Sequence, residues 1–131
     1  MTVGACVSAL LAKILKRLIR QERPVHERQL KKSYGMPSTH STAVIFLSTF
    51  ATFIILYYAP SSLSPMLVAL TIAASNMLGV SAALSRVTNG HHTLAQVAAG
   101  SCLGVVCASV WWALRDAFLP FIDQHIIPAI F

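Results

Sequence analysis

Cations, hydroxyls and imidazoles gather in three short patches of this chain: Lys16 with Arg23-Pro24, then Pro37-Ser38-Thr39-His40-Ser41, then Ser85-Arg86 followed by His92. Each patch lies at the edge of an apolar run, where a charged side chain is costly unless it has a task. Guanidinium and ammonium groups pair with phosphoryl oxygens. Hydroxyls and main-chain N–H groups at a helix start do the same. An imidazole attacks phosphorus or protonates a leaving oxygen. The chemistry these residue types share is the handling of a phosphate ester.

Lys16, Arg20 and Arg23 recur at i, i+4 and i+7, a spacing that puts them on one helical face able to surround an anion. Arg86 adds a guanidinium. These cations would repel one another on an open surface, and a phosphate or diphosphate would neutralise them. Lys13 and Arg17 read instead as a solvated basic face. The segment from Pro37 to Ser41 begins a helix, with proline suited to a first turn, Ser38 and Thr39 able to cap, and N–H groups directed at an anion. His40 there is placed to give a proton to a leaving oxygen. A lone histidine at a helix entrance is more often a cap or an interfacial residue; the company of two further phosphate-type patches reverses that reading. His92 opens the last apolar run, and Gln96 stands one helical turn later on the same face. An imidazole nitrogen attacks phosphorus if an acceptor holds its other nitrogen, and the Gln96 carbonyl can be that acceptor. His91 points to a different face and reads as interfacial.

These residues must be positioned by elements that suit a membrane. Of 131 residues, 56% are hydrophobic and 11% charged, and the mean hydropathy is +0.68, which excludes an ordinary soluble domain. No Lys, Arg, Asp or Glu occurs between Lys32 and Arg86, or between Arg86 and Arg115. Gaps of that length accommodate helices that cross a hydrocarbon layer of roughly 30 Å. The expected fold is an all-α integral membrane bundle of about four membrane helices, a single domain over 1–131 with its core at about 13–114. Spans are expected from about Ser41 to Ala59, Met66 to Leu84, and Thr93 to Leu114. Tyr57-Tyr58 and Trp111-Trp112 close two of them as interfacial aromatic residues, and Pro60 to Pro65 makes a turn. Ala73, Ala74, Ser75, Gly79, Ala98, Ala99, Gly100 and Gly104 would let helices approach closely. The first segment, Val3 to Arg20, is either a tilted span with a basic end or an interfacial amphipathic helix, and the span is favoured. Its charge follows the apolar stretch, so it is not a secretory signal. The tail from Phe118 to Phe131, broken by Pro120 and Pro128, reads as interfacial.

With these spans the three patches arrive on the same side of the bilayer. The net charge is +6, and eight of the ten basic residues lie between Lys13 and Lys32. That stretch lacks interleaved aromatic residues and is attached to a hydrophobic bundle, which argues against nucleic acid. By itself it favours the cytosolic side. Cys6, Cys102 and Cys107 are odd in number, lack metal-ligand spacing, and read as small packing residues.

Lys-x6-Arg-Pro, Pro-Ser-x-His and Ser-Arg-x5-His, in this order, resemble the signature of the type 2 phosphatidic acid phosphatase and haloperoxidase superfamily, over about Lys16 to Gly104. The resemblance implies an all-helical membrane fold and hydrolysis of a lipid phosphate without metal or cofactor. It implies His92 as a nucleophile forming a phosphohistidine, His40 as the acid, Gln96 as the orienting partner, and Lys16, Arg23, Ser38, Thr39 and Arg86 as holders of phosphoryl oxygens. Two positions depart from the commonest pattern. Thr39 stands where glycine is usual, and Gln96 stands where an aspartate usually orients the nucleophile, so a less stabilised imidazolium and slower chemistry follow. The run His92-Thr93-x-x-Gln96-Val97 is similar to the dolichyl diphosphate phosphatase branch, which favours a polyprenyl diphosphate over a phosphatidate-like lipid. It also implies the endoplasmic reticulum membrane with a lumen-facing site. The family usually has about six spans, and roughly two that precede the first motif are not matched here. Transfer of the phosphoryl group to a lipid hydroxyl is a related reading, and halide oxidation suits soluble chains instead. From another class comes an inactive, anionic-lipid-binding scaffold, which would bind lipid without turnover.

Overall fold

Uncharged apolar stretches of this length leave the backbone no partner in lipid except itself, so they fold as helices. The computed structural model describes residues 2–22 and 34–121. It is all-helical: α1 spans Thr2–Ile19, α2 Thr39–Tyr58, α3 Pro65–Thr88 and α4 Leu94–Phe121. Three of these, α2, α3 and the Leu94–Arg115 part of α4, are long and apolar enough to cross a membrane. The helix α1 is not in that group, since Lys13, Lys16 and Arg17 fall within its 18 residues.

Two boundaries differ from the sequence expectation. The third helix continues a turn beyond Leu84, so Ser85 and Arg86 are helical. The fourth runs through Pro120 to Phe121, which removes residues 118–121 from the expected interfacial tail. A proline's fixed φ is itself helical, and its cost falls on one hydrogen bond to the preceding turn. The rest of that tail lies outside the described residues.

The central helix is α2, against which α1, α3 and α4 all pack. Glycines set how closely. A Cβ on Gly100 would lie 2.5 Å from the Ser38 carbonyl oxygen, and one on Gly104 would lie 2.6 Å from that of Thr42. Only bare backbone lets α4 approach α2 so closely. Gly79 does the same for α3 against the Ser48 side chain. Ala73, Ala74 and Ala98, expected at helix contacts, face outward, because α3 and α4 each turn their small-residue contact toward α2. The buried residues of α1 are Gly4, Ser8 and Ala12, one per turn, forming a small-residue stripe. Gly4 meets the rings of Phe46 and Trp111.

Apolar packing forms two layers. Ile45, Ala83 and Val97 pack together nearer the start of α2; Phe46, Phe50 and Ala108 pack with Trp111 and Trp112 farther along. Phe46 stacks on Phe50, and Phe50 meets Trp112 edge-on. Arg115 lies between the Tyr57 and Trp112 rings, 3.9 and 3.6 Å from their centroids, which anchors the end away from the three patches. Asn76 donates to the Thr52 hydroxyl at 2.8 Å, a polar link between α3 and α2 at mid-helix depth. Of the cysteines, Cys107 packs on the Phe46 layer, while Cys6 and Cys102 are exposed on the outer surface and are not packing residues.

Candidate active site

At one end of the bundle, α2 and α4 begin while α1 and α3 finish. Helix N-termini carry partial positive charge and C-termini partial negative charge. Basic residues stand at the finishing ends, Lys16 and Arg17 on α1 and Arg86 on α3, so the starts of α2 and α4 favour an anion there and the basic side chains offset the partial negative charge of the other two ends.

Ser38 is the N-cap of α2, its side chain accepting from the Ser41 N–H. Pro37 therefore precedes the cap and is not in the first turn. The Ser41 hydroxyl donates to Ser38 Oγ at 2.9 Å, and the Thr42 hydroxyl to the Ser38 carbonyl at 3.0 Å. These bonds hold a fully buried Ser38. Thr39 and His40 follow in the first turn, where N–H groups have no acceptor within the helix. Thr39 is partly buried and His40 exposed.

The turn from α3 to α4 folds back on Arg86, whose carbonyl accepts from the N–H groups of both His91 and His92. This places the Arg86 backbone against the His92 backbone. The Arg86 Nε is buried with no hydrogen-bond partner among the described residues. A buried guanidinium N–H left unpaired costs about 1–3 kcal/mol or more, and such a group calls for an acceptor.

His92 is 4% exposed and Gln96 1%. His92 Nδ1 and Gln96 Oε1 are 3.1 Å apart. Two main-chain groups settle which way the amide points: the Thr93 N–H donates to Oε1 at 3.3 Å, and Gln96 Nε2 donates to the Glu22 carbonyl at 2.9 Å. A flipped amide would set donor against donor and acceptor against acceptor. Because Oε1 only accepts, His92 Nδ1 carries the proton, and in the neutral imidazole the lone pair is then on Nε2. Thr93 also accepts from the Gln96 N–H at 3.3 Å. Thr93-x-x-Gln96 is thus a capping box at the start of α4. The same glutamine side chain closes the helix end and meets the imidazole.

The other side of the Gln96 amide meets residues that the sequence reading did not single out. Nε2 also donates to Gln21 Oε1 at 3.2 Å. A Cβ on Gly35 would lie 2.5 Å from both Nε2 and Oε1, so the Gly35 backbone lies on the amide face. Gly35 donates to the Gln21 carbonyl at 2.7 Å, Glu22 and Tyr34 form an antiparallel bridge, and Ser38 donates to the Gln96 carbonyl at 3.0 Å. The Thr93-x-x-Gln96 capping signature was readable in the sequence. Nothing local signals that Gln21 or Gly35 meets a residue 75 or 61 positions away.

The structure thus brings Ser38, Thr39, His40, Arg86, His92 and Gln96 to one end, with Lys16 partly buried in the last turn of α1. Arg23 and Pro24 lie outside the described residues. The helical stripe expected from Lys16 through Arg20 does not continue. The α1 helix ends at Ile19, Arg20 has a φ of 52°, and its Nε donates back to the Arg17 carbonyl at 3.1 Å. That bond occupies one of the guanidinium donors of Arg20.

A family model described as the PAP2 superfamily matches residues 1–119. Dolichyldiphosphatase 1 of Dictyostelium discoideum is 31% identical over 98% of this chain and 59% of its own length. Lipid phosphate phosphatase epsilon 2, chloroplastic, of Arabidopsis thaliana is 31% identical over 89% of this chain and 39% of its own. Lipid phosphate phosphatase gamma of the same plant is 32% identical over 88% and 52%. The chain therefore spans roughly two to three fifths of the relatives it matches. No solved structure matches it.

Proposed function

Since this chain belongs to the PAP2 superfamily, we propose that it is a membrane lipid phosphatase whose nucleophile is His92. The observation that carries the proposal is the oriented His92–Gln96 pair, in which the imidazole tautomer has its lone pair on Nε2. Nε2 attacks phosphorus, and a P–N bond forms as the bond from phosphorus to the leaving oxygen breaks. His40 gives that oxygen its proton. Water then attacks the phosphohistidine and passes a proton to His40. The P–N bond breaks, and inorganic phosphate leaves. Lys16, Arg23, Ser38, Thr39 and the unpaired Arg86 Nε hold the phosphoryl oxygens, where charge builds in the transition state. Every group in this scheme is an organic side chain or main-chain donor, so the proposed reaction takes no metal or cofactor.

The substrate favoured is a dolichyl or other polyprenyl diphosphate, with a phosphatidate-like lipid next. The name of the Dictyostelium relative and the glutamine at position 96 support the first, and the names of the Arabidopsis relatives support the second. With a dolichyl substrate, the place of action is the endoplasmic reticulum membrane with the site facing the lumen.

The test is phosphate release from dolichyl diphosphate and from phosphatidic acid by the detergent-purified chain with EDTA present, beside His92→Ala. Release should fall at least about a thousandfold in the variant, as for loss of a nucleophile. His40→Ala should fall roughly a hundredfold or more, as for loss of a general acid. Lipid binding without release from either substrate would instead favour a phosphate-binding scaffold.

A further inference from the structure

The Gln96 amide has four hydrogen-bonding positions, two on oxygen and two on nitrogen. All four are filled: Oε1 faces His92 Nδ1 and the Thr93 N–H, and Nε2 faces the Glu22 carbonyl and Gln21 Oε1. Gln96 is 1% exposed, whereas Gln21 is exposed, so Gln21 meets the buried amide from the edge of the site. Three of the four partners come from the main chain or from the nucleophile itself. Gln21 is the only one contributed by a further side chain. It stands just past α1, in a strand-like pair of residues bridged to Tyr34 and Gly35, and Gly35 lies across the amide face.

We propose that Gln21 is a positioning residue for His92. By taking the second N–H of Gln96 it holds the amide in the plane where Oε1 meets Nδ1, and so it keeps the imidazole in the tautomer that has its lone pair on Nε2. The inference rests on the phosphatase reading for its effect on turnover, though not for its effect on the tautomer. Among the described residues Gln21 bonds the Gln96 amide and Gly35, and not the imidazole. Its loss should therefore appear in kcat and leave KM unchanged.

The geometry also sets the sign for different replacements. Leucine at 21 removes the acceptor that fixes the second N–H of Gln96. Glutamate keeps an acceptor at the same reach. Asparagine keeps the group but withdraws it by one methylene.

The experiment uses the full chain in detergent with nitrogen-15 histidine, the His92 signals being identified by their loss in His92→Ala. In the unmodified chain His92 should show its proton on Nδ1. In Gln21→Leu the ratio of the Nδ1–H to the Nε2–H tautomer should fall roughly two- to tenfold, the effect of one lost hydrogen bond, and kcat should fall by a similar factor. Gln21→Glu should keep the Nδ1–H signal. Should the leucine variant not fold, Gln21→Asn takes its place in the same measurement, with the same direction of change. A tautomer ratio that is the same in the leucine or asparagine variant and the unmodified chain would overturn the proposal. Absence of His92-dependent phosphate release from the unmodified chain would instead count against the phosphatase reading, while the nitrogen signals would still decide the role of Gln21.

Discussion

Gln96 shows why a neutral amide stands where a carboxylate would orient an imidazole more strongly. A glutamate of the same length would still accept from His92 and Thr93. Its second oxygen would face the Glu22 carbonyl, a main-chain group that can only accept, although Gln21 could turn its amide to donate. Acceptor against acceptor in a buried position costs about 1–3 kcal/mol, more than the gain from a charged orienting group whose other oxygen is unsatisfied. Gln96→Glu should therefore lower kcat roughly tenfold or more, although the substitution adds the charge that a simple dyad would welcome; phosphate release under saturating substrate checks it. Gly35 answers to the same amide. Its missing Cβ is the space that Gln96 fills, so Gly35→Ala should displace the amide and reduce kcat at least as much as Gln21→Leu. Unchanged turnover in the alanine variant would mean that this contact does not hold the nucleophile. At this scale the contact between His92 and Gln96, the pair proposed to be catalytic, was legible because the two residues are a helical turn apart. Gln21 and Gly35 were not, because their contacts span 75 and 61 residues and arise only once the turns at both ends of the bundle are folded.

Among the elements, α2 bears the largest share of packing, and the placement of Ser38 depends on how closely α4 lies against it. Gly100 and Gly104 repeat at four residues and meet the carbonyls of Ser38 and Thr42, also four apart. The two helices run parallel away from the site, and the same contact that joins them carries the N-cap of α2 to the first turn of α4. Gly104→Leu would force the α4 backbone off Thr42 and Phe46, where no flexible side chain can give way. It should destabilise the bundle by about 1–3 kcal/mol or more, as overpacking does, seen as a lower unfolding midpoint in detergent. Asn76→Leu provides a contrast. It removes the link to Thr52, yet the Thr52 hydroxyl still bonds the Ser48 carbonyl, so nothing buried is orphaned. Its cost should be near the average of about 0.6 kcal/mol for polar links between membrane helices. The order of the two effects is the test, and a larger loss at Asn76 would make the polar link, not the glycine contact, the main tie. The uncharged gaps made the three long helices legible, and the small residues announced close packing. Which helix they face was not legible, since small residues on α3 and α4 were as consistent with mutual contact as with a shared contact on α2. The charges of α1 left its relation to the membrane open for the same reason that they mark it in the sequence: they serve both an interfacial helix and the end of a span.

For the whole molecule, the consequence is polarity along the bundle axis. One end holds the starts of α2 and α4 with His92, Ser38 and Arg86; the other holds Tyr57, Tyr58, Trp112 and Arg115 around the turn from Tyr58 to Pro65. The basic residues at the first end would by the positive-inside tendency lie on the cytosolic side, whereas residues occupied in binding phosphate are removed from that balance. Sidedness therefore has to come from the molecule in a bilayer. With Cys6, Cys102 and Cys107 replaced by alanine, a cysteine introduced at Ser62, in the turn between α2 and α3, and one at Asn89, in the turn between α3 and α4, report the two ends. Because α3 is 24 residues long, or roughly 36 Å at the helical rise, the two positions should react with a membrane-impermeant maleimide from opposite faces of a sealed vesicle. Reaction of both from one face would rule out α3 as a span and with it the separation of the two ends. If the lumen-facing proposal is right, Asn89→Cys is the position protected in intact endoplasmic reticulum vesicles and exposed on permeabilisation, and phosphate release should show the same latency. Labelling of Asn89→Cys in intact vesicles would instead put the His92 end on the cytosolic side, where the charge of the chain would by itself have placed it.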